Sequence, residues 1–185
     1  MLKEQFTVSW RFWLLWALAF LAFPIGGLLA NVLVGPVTTT IRAILAGAIT
    51  GAVLGLIQWL VLRGQTAIPS GWILVTGIGM AVGLGLSVGL FGSEMGGSTL
   101  LWRAVITGLC IGVAQWIILR PILPQSAIWI AVIVVGWVVG WFVTRSAGVD
   151  LSQKWPVFGA TGALAFQLIT GLALYLLIRL SPGVK

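Results

Sequence analysis

Charged side chains interrupt this chain so rarely that they mark off its apolar stretches. Residues 12–34, 43–62, 104–119 and 155–178 carry no charge, and two further spans fit within 64–93 and 121–144. About 20 apolar residues rising 1.5 Å each cross a hydrocarbon layer of roughly 30 Å, so the pattern predicts six transmembrane helices. The runs are continuously apolar, where a transmembrane barrel would alternate apolar and polar residues in segments of about ten. The run 104–119 holds about 24 Å of helix, so Arg103 and Arg120 at its ends are expected to snorkel from a slightly buried backbone. The first run is too long for a secretory signal and lacks a small-residue cleavage site near its end, so it is expected to stay in the mature protein.

The chain also repeats. At an offset of 57, residues 49–86 align with 106–143 without a gap: Gly51, Gly55, Gln58, Trp59, Arg63, Trp72, Gly79 and Gly83 recur as Gly108, Gly112, Gln115, Trp116, Arg120, Trp129, Gly136 and Gly140. A third copy follows if each unit is read as one helix ending in Gly and one ending in Arg. Trp16, Trp72 and Trp129 open the first helices, with Gly27, Gly83 and Gly140 eleven residues later. In the second helices Gly55, Gly112 and Gly171 precede Arg63, Arg120 and Arg179 by eight, with Trp59, Trp116 or Tyr175 midway and proline soon after each Arg, the last at Pro182. The expected architecture is an all-α integral membrane protein forming one transmembrane domain, six helices in three parallel two-helix repeats over residues 1–69, 70–124 and 125–185.

Positions four apart share one helical stripe, so each Gly, aromatic and Arg set reads as a packing contact, an interfacial ring and a headgroup cation; a ligand-holding aromatic cage is the sharper alternative. Glycine is abundant, at 25 residues. Gly47, Gly51 and Gly55, Gly79 with Gly83, Gly108 with Gly112, and Gly136 with Gly140 are GxxxG patterns of the kind that bring helices into close contact in lipid. Sequence leaves open whether these faces meet within one chain or between chains.

Composition narrows the chemistry. The chain is 60% hydrophobic and 7% charged, against the roughly 25% charge of a water-facing domain. Its formal charge of +7 comes from basic residues dispersed at helix ends, which reads as a collar for anionic headgroups and not as a nucleic-acid surface. Lys3, Arg11, Arg63, Arg120, Arg179 and Lys185 fall on one side, Arg42, Arg103, Arg145 and Lys154 on the other, so both termini are expected in the cytoplasm. Histidine is absent, Cys110 stands alone, and Glu4, Glu94 and Asp150 fall outside the apolar runs. No catalytic or metal-binding set is therefore expected, and no ionisable group within the spans.

The candidate polar or ligand contacts are Gln58, Gln115, Gln167, Trp137 and Trp141. Gln58 and Gln115 lie about 7.5 Å along the axis from their Arg; they can line a polar cavity, although bonds across helices or to headgroups are the favoured reading. Leu174 holds the equivalent place in the third unit. Gln167 lies deeper, about 18 Å from Arg179, and is the first choice for a decisive hydrogen bond because it is the costliest to bury unpaired. Thr50 and Thr107 at its level are expected to bond back to their own helices. Trp137 and Trp141 fall inside a span, where an indole needs an acceptor or a facing partner, lipid or pigment. Pro24 with Gly26 and Gly27 predicts a kink or break that either opens a small cleft or serves packing. The Glu94 loop reads as a solvated connector, with docking as its alternative.

Through GLIQWLVLR at Gly55–Arg63, GVAQWIILR at Gly112–Arg120 and the Trp72–Gly83 pattern, the chain resembles an uncharacterised family of six-span membrane proteins of cyanobacteria and Chloroflexi. The resemblance implies a bacterial inner or thylakoid membrane and supplies no activity. The leading expectation is a non-catalytic accessory subunit, or assembly or stabilising partner, of a larger membrane complex, with a photosynthetic or respiratory one suggested by that setting. Bound lipid, and pigment as a further cofactor, belong to this reading. The alternative is a small-solute or lipid-binding transport protein, such as the substrate-binding component of an energy-coupling-factor transporter.

Overall fold

The computed structural model describes residues 9–180; Lys3, Glu4, Pro182 and Lys185 lie outside them. The described chain is helical: α1 (Trp10–Leu18), a 3-10 turn (Ala19–Leu21), α2 (Ala22–Val34), α3 (Thr40–Leu62), α4 (Gly71–Phe91), α5 (Gly97–Leu119), α6 (Ile128–Ser146), a second 3-10 turn (Leu151–Gln153) and α7 (Ala160–Leu180). The first span, Trp10–Val34, joins α1, the turn and α2; the other five helices have 19 to 23 residues, or about 29 to 35 Å. The chain is an integral membrane protein with six spans.

Two boundaries differ from expectation by more than three residues. The fourth span is not short: α5 starts at Gly97 and carries Arg103 within it, 6% exposed. A charge fits here because helical side chains lean towards the N-terminus, so Arg103 reaches back along α5 and its Nη1 donates to the Glu94 carbonyl at 3.0 Å. The expectation of no ionisable group within the spans is thereby corrected. The last span begins at Ala160 and not at 155. Pro156 biases Trp155 towards extended backbone, and residues 155–159 enter the bundle as a non-helical segment with Pro156, Val157 and Phe158 buried. Irregular backbone is tolerated in a membrane protein where protein covers it.

Neighbours in sequence pack in order, from α2 on α3 through α6 on α7, and α1 closes the series against α7. The result is a ring of six spans around a filled interior. Leu74, Leu86, Val135 and Leu172 point out, exposed for lipid, while Gly51, Gly83, Trp16, Trp72, Trp129, Gln58, Gln115 and Gln167 point in.

The repeated glycines meet neighbouring helices of the same chain. A Cβ at Gly51 would lie 2.8 Å from the Thr76 carbonyl oxygen, and at Gly47 2.7 Å from that of Met80, so α3 and α4 touch backbone to backbone. Gly55 also faces α4; Gly79 and Gly83 face α5; Gly108 and Gly112 face α6; Gly136 and Gly140 face α7; Gly171 faces Trp16 of α1.

The first span carries its break before Pro24, whose ring would clash with the carbonyl of Phe20 in a continuous α-helix; residues 19–21 wind as 3-10 instead. Three residues at 3.0 per turn rotate the following helix by about 60° more than α geometry does. The glycine that meets α3 is accordingly one residue earlier than the sequence spacing implies. Gly26 packs on Thr50 as Gly83 packs on Thr107, and Gly27 meets Val157.

Candidate functional site

Two sites stand out, a polar centre towards the Arg63 end of the bundle and a cleft towards the opposite end. The centre is made by Gln58 and Gln115, both buried, with Trp16, Trp72 and Trp129, each 0% exposed. Trp72 Nε1 donates to Gln58 Oε1 at 3.1 Å, and Trp129 Nε1 to Gln115 Oε1 at 2.9 Å. Gln115 Nε2 donates to Thr76 Oγ1 at 3.0 Å. Longer contacts of 3.4 Å run from Gln115 Nε2 to Gln58 Oε1 and from Gln58 Nε2 to Gln167 Oε1. Trp129 packs against Trp16 and Trp72, with centroids 6.4 Å apart in each pair.

The third set differs in chemistry. Leu174 holds the Gln position, and Trp16 Nε1 donates instead to Thr170 Oγ1 at 3.0 Å. Gln167 lies two turns before Leu174 yet reaches Gln58. Part of that difference is taken up by the last helix, which stands one turn out of step: Gly55 and Gly112 pack on Ile73 and Ile130, whereas Gly171 packs on Trp16 and Trp13. The two long side chains span the rest. The shorter bonds belong to Gln58 and Gln115, and Nε2 of Gln167 is buried without a partner among the described residues. Contrary to expectation, Thr50 does not bond back to its own helix but donates across to the Gly26 carbonyl at 3.2 Å. Thr76 and Thr170 are the ones that bond back, to Trp72 and Phe166.

At the Arg63 face, the predicted stripes place each guanidinium over its ring: Arg63 over Trp59 at 5.1 Å, Arg120 over Trp116 at 5.5 Å and Arg179 over Tyr175 at 5.2 Å. These arginines are exposed and their rings half-buried, an arrangement suited to an interface.

At the other end, α1 packs closely along α7 while α2 barely touches it. The segment 155–159 fills the gap. Phe158 stacks on Phe23 at 4.7 Å and meets Trp137 and Trp141 edge-on at 4.7 and 5.7 Å. Trp137 and Trp141 thus belong to an internal aromatic cluster, 1% and 5% exposed. Beside this plug lies a cleft of about 330 Å³ between the Pro24–Leu28 turn and residues 149–160, with Met95 on its border; it is where the Pro24 break left a cleft open as one of two readings. Lys154, in left-handed conformation at φ 53, ties the adjoining loops together by donating to Ser93 Oγ at 3.2 Å and pairing with Glu94 at 3.0 Å. The Glu94 loop is exposed, as a solvated connector is, with the Glu94 side chain 81% accessible, and this surface pair ties it to its neighbour. Asp150 accepts from the Ser152 amide and from Gln153, and hydrogen bonding from Ser152, by side chain and backbone, with Gln153 adding to it, holds its carboxyl below the usual range.

Sequence reasoning did not select Trp16, Trp72 and Trp129 as donors to the centre. A signal existed for two of them, since Gln58–Trp72 and Gln115–Trp129 recur at the same separation of 14 residues. Gly162, which sits directly against Gly140 and Thr144, Arg103 and the 155–159 plug were also missed; Pro156 was the one visible hint of the plug. Comparison with known families, with curated proteins and with solved structures finds no match to this chain.

Proposed function

We propose that the chain is a non-catalytic integral scaffold, an accessory subunit or stabilising partner of a larger membrane complex, inserted with both termini in the cytoplasm and built from three parallel two-helix units. The carrying observation is the polar centre. Its amides, indoles and hydroxyls bond one another across five helices, and none of them titrates near neutral pH. Such a network fixes one packing of the bundle and offers neither a proton carrier nor a nucleophile activated by a base. The aliphatic outer face is the surface left for lipids and other membrane subunits. A second reading, binding of a small solute or lipid, is favoured by the cleft of about 330 Å³.

The test is extraction from the native membrane in a mild detergent, followed by size separation, mass spectrometry and absorption spectroscopy. The scaffold reading predicts a particle containing defined partner chains in fixed ratio. A chain that emerges by itself with a stoichiometric water-soluble metabolite contradicts it.

A further inference from the structure

The cleft beside the Pro24 break is bordered by four aromatic side chains, Phe23, Trp141, Trp155 and Phe158, and by one charged residue, Asp150. In a chain of formal charge +7, the two carboxylates among the described residues, Glu94 and Asp150, both fall here, Glu94 next to Met95 on the cleft border. Glu94 is neutralised by Lys154. Asp150 makes no ion pair among the described residues; its oxygens accept from the uncharged Ser152 amide and Gln153 amide. An ionised carboxylate has about four acceptor sites, so capacity remains. Trp141 lies within the last two turns of α6 (Ile128–Ser146), which puts the cleft near the level where hydrocarbon gives way to headgroups.

We propose that this cleft binds an organic ammonium ion with an apolar body, its cationic head held by Asp150 and the half-buried Trp155 ring and its hydrocarbon laid against the exposed Leu28 and Val149. A cation over an aromatic face is attracted by the ring quadrupole, most strongly at tryptophan, and the carboxylate adds a full opposite charge. An anion of the same shape meets repulsion, and a neutral one loses both attractions. About 330 Å³ lies at the small end of ligand pockets, roughly 300 to 1,000 Å³, which suits one ring or one short chain. The inference holds whether or not the chain is a subunit of a larger complex.

The test uses the whole chain in a non-ionic maltoside detergent and titrates benzyltrimethylammonium, a permanent cation, against its neutral isostere neopentylbenzene. The cation is expected to bind saturably and about tenfold more tightly than the isostere. Asp150→Asn, which keeps an acceptor for the Ser152 amide, is expected to weaken the cation about fivefold and leave the isostere unchanged. Ala160→Trp, at an exposed position on the cleft wall, is expected to block both. Adding ethanolamine phospholipid separates the two natural sources of this chemistry: competition assigns the site to a lipid headgroup, and its absence to a free amine. Equal affinity for cation and isostere, or an Asp150→Asn protein that binds the cation as well as the parent does, overturns the proposal and leaves a slot for hydrocarbon.

Discussion

A glutamine amide in a hydrocarbon-facing bundle has no water to fall back on, so the value of each one depends on what it leaves unpaired when removed. Gln58→Leu strips Trp72 Nε1 of its acceptor, and a buried orphan donor costs about 1 to 3 kcal/mol. Gln167→Leu forfeits two long contacts, at 3.4 and 3.3 Å, and also removes a buried Nε2 that has no partner among the described residues. We therefore expect Gln58→Leu to lower stability by about 2 kcal/mol and Gln167→Leu by less than about 1 kcal/mol, the scale of ordinary hydrogen bonds within membranes. Reversible unfolding of the two variants in one detergent checks the order. Asp150 makes a second prediction at this scale. Its folded pKa is depressed, so the stabilisation of its turn is full above the unfolded value of about 3.9 and is lost as pH falls through the lower folded value. The protection factor of the Ser152 amide in hydrogen exchange should stay level from neutral pH down to about 4 and drop below that, and in Asp150→Asn the drop should disappear.

At the scale of the helices, contact is set by where a methyl group has room. A Cβ at Gly51 would press on the Thr76 carbonyl at 2.8 Å, whereas one at Gly89 meets Thr40 at an ordinary 3.6 Å. Gly51→Ala should destabilise by about 1 to 3 kcal/mol through overpacking; Gly89→Ala should be neutral or gain up to about 1 kcal/mol from reduced backbone entropy. Thermal unfolding of the pair measures the difference. The glycine pattern made these contacts readable in the sequence, and the scarcity of charge made the six spans readable. What escaped did so for physical reasons. Arg103 marks a boundary only if a charge must sit outside a helix, and a side chain leaning towards the N-terminus removes that need. Residues 155–159 are apolar because protein covers them, so hydrophobicity by itself reads them as helix. The Gln–Trp pairs were visible in the internal repeat, but the Trp16–Thr170 bond joins residues 154 apart, and no spacing within one unit announces it.

For the whole molecule, the account stands on the ring closing. The order of packing from α2 to α7 could equally describe an open sheet of helices, with its interior face exposed to lipid and its last helix paired with another chain. Closure places Trp16 and Trp13 of α1 against Gly171 and Leu168 of α7, where Trp13 Nε1 donates to the Leu168 carbonyl at 3.3 Å, and it is this seam that seals the polar centre. The direct measurement is cross-linking of Trp13→Cys with Leu168→Cys by a short bifunctional thiol reagent in a Cys110→Ala background. A closed ring predicts a fast-migrating, intramolecularly linked monomer in high yield at any protein concentration. Linked dimers that increase with concentration, or no product while both thiols remain reactive, would contradict it.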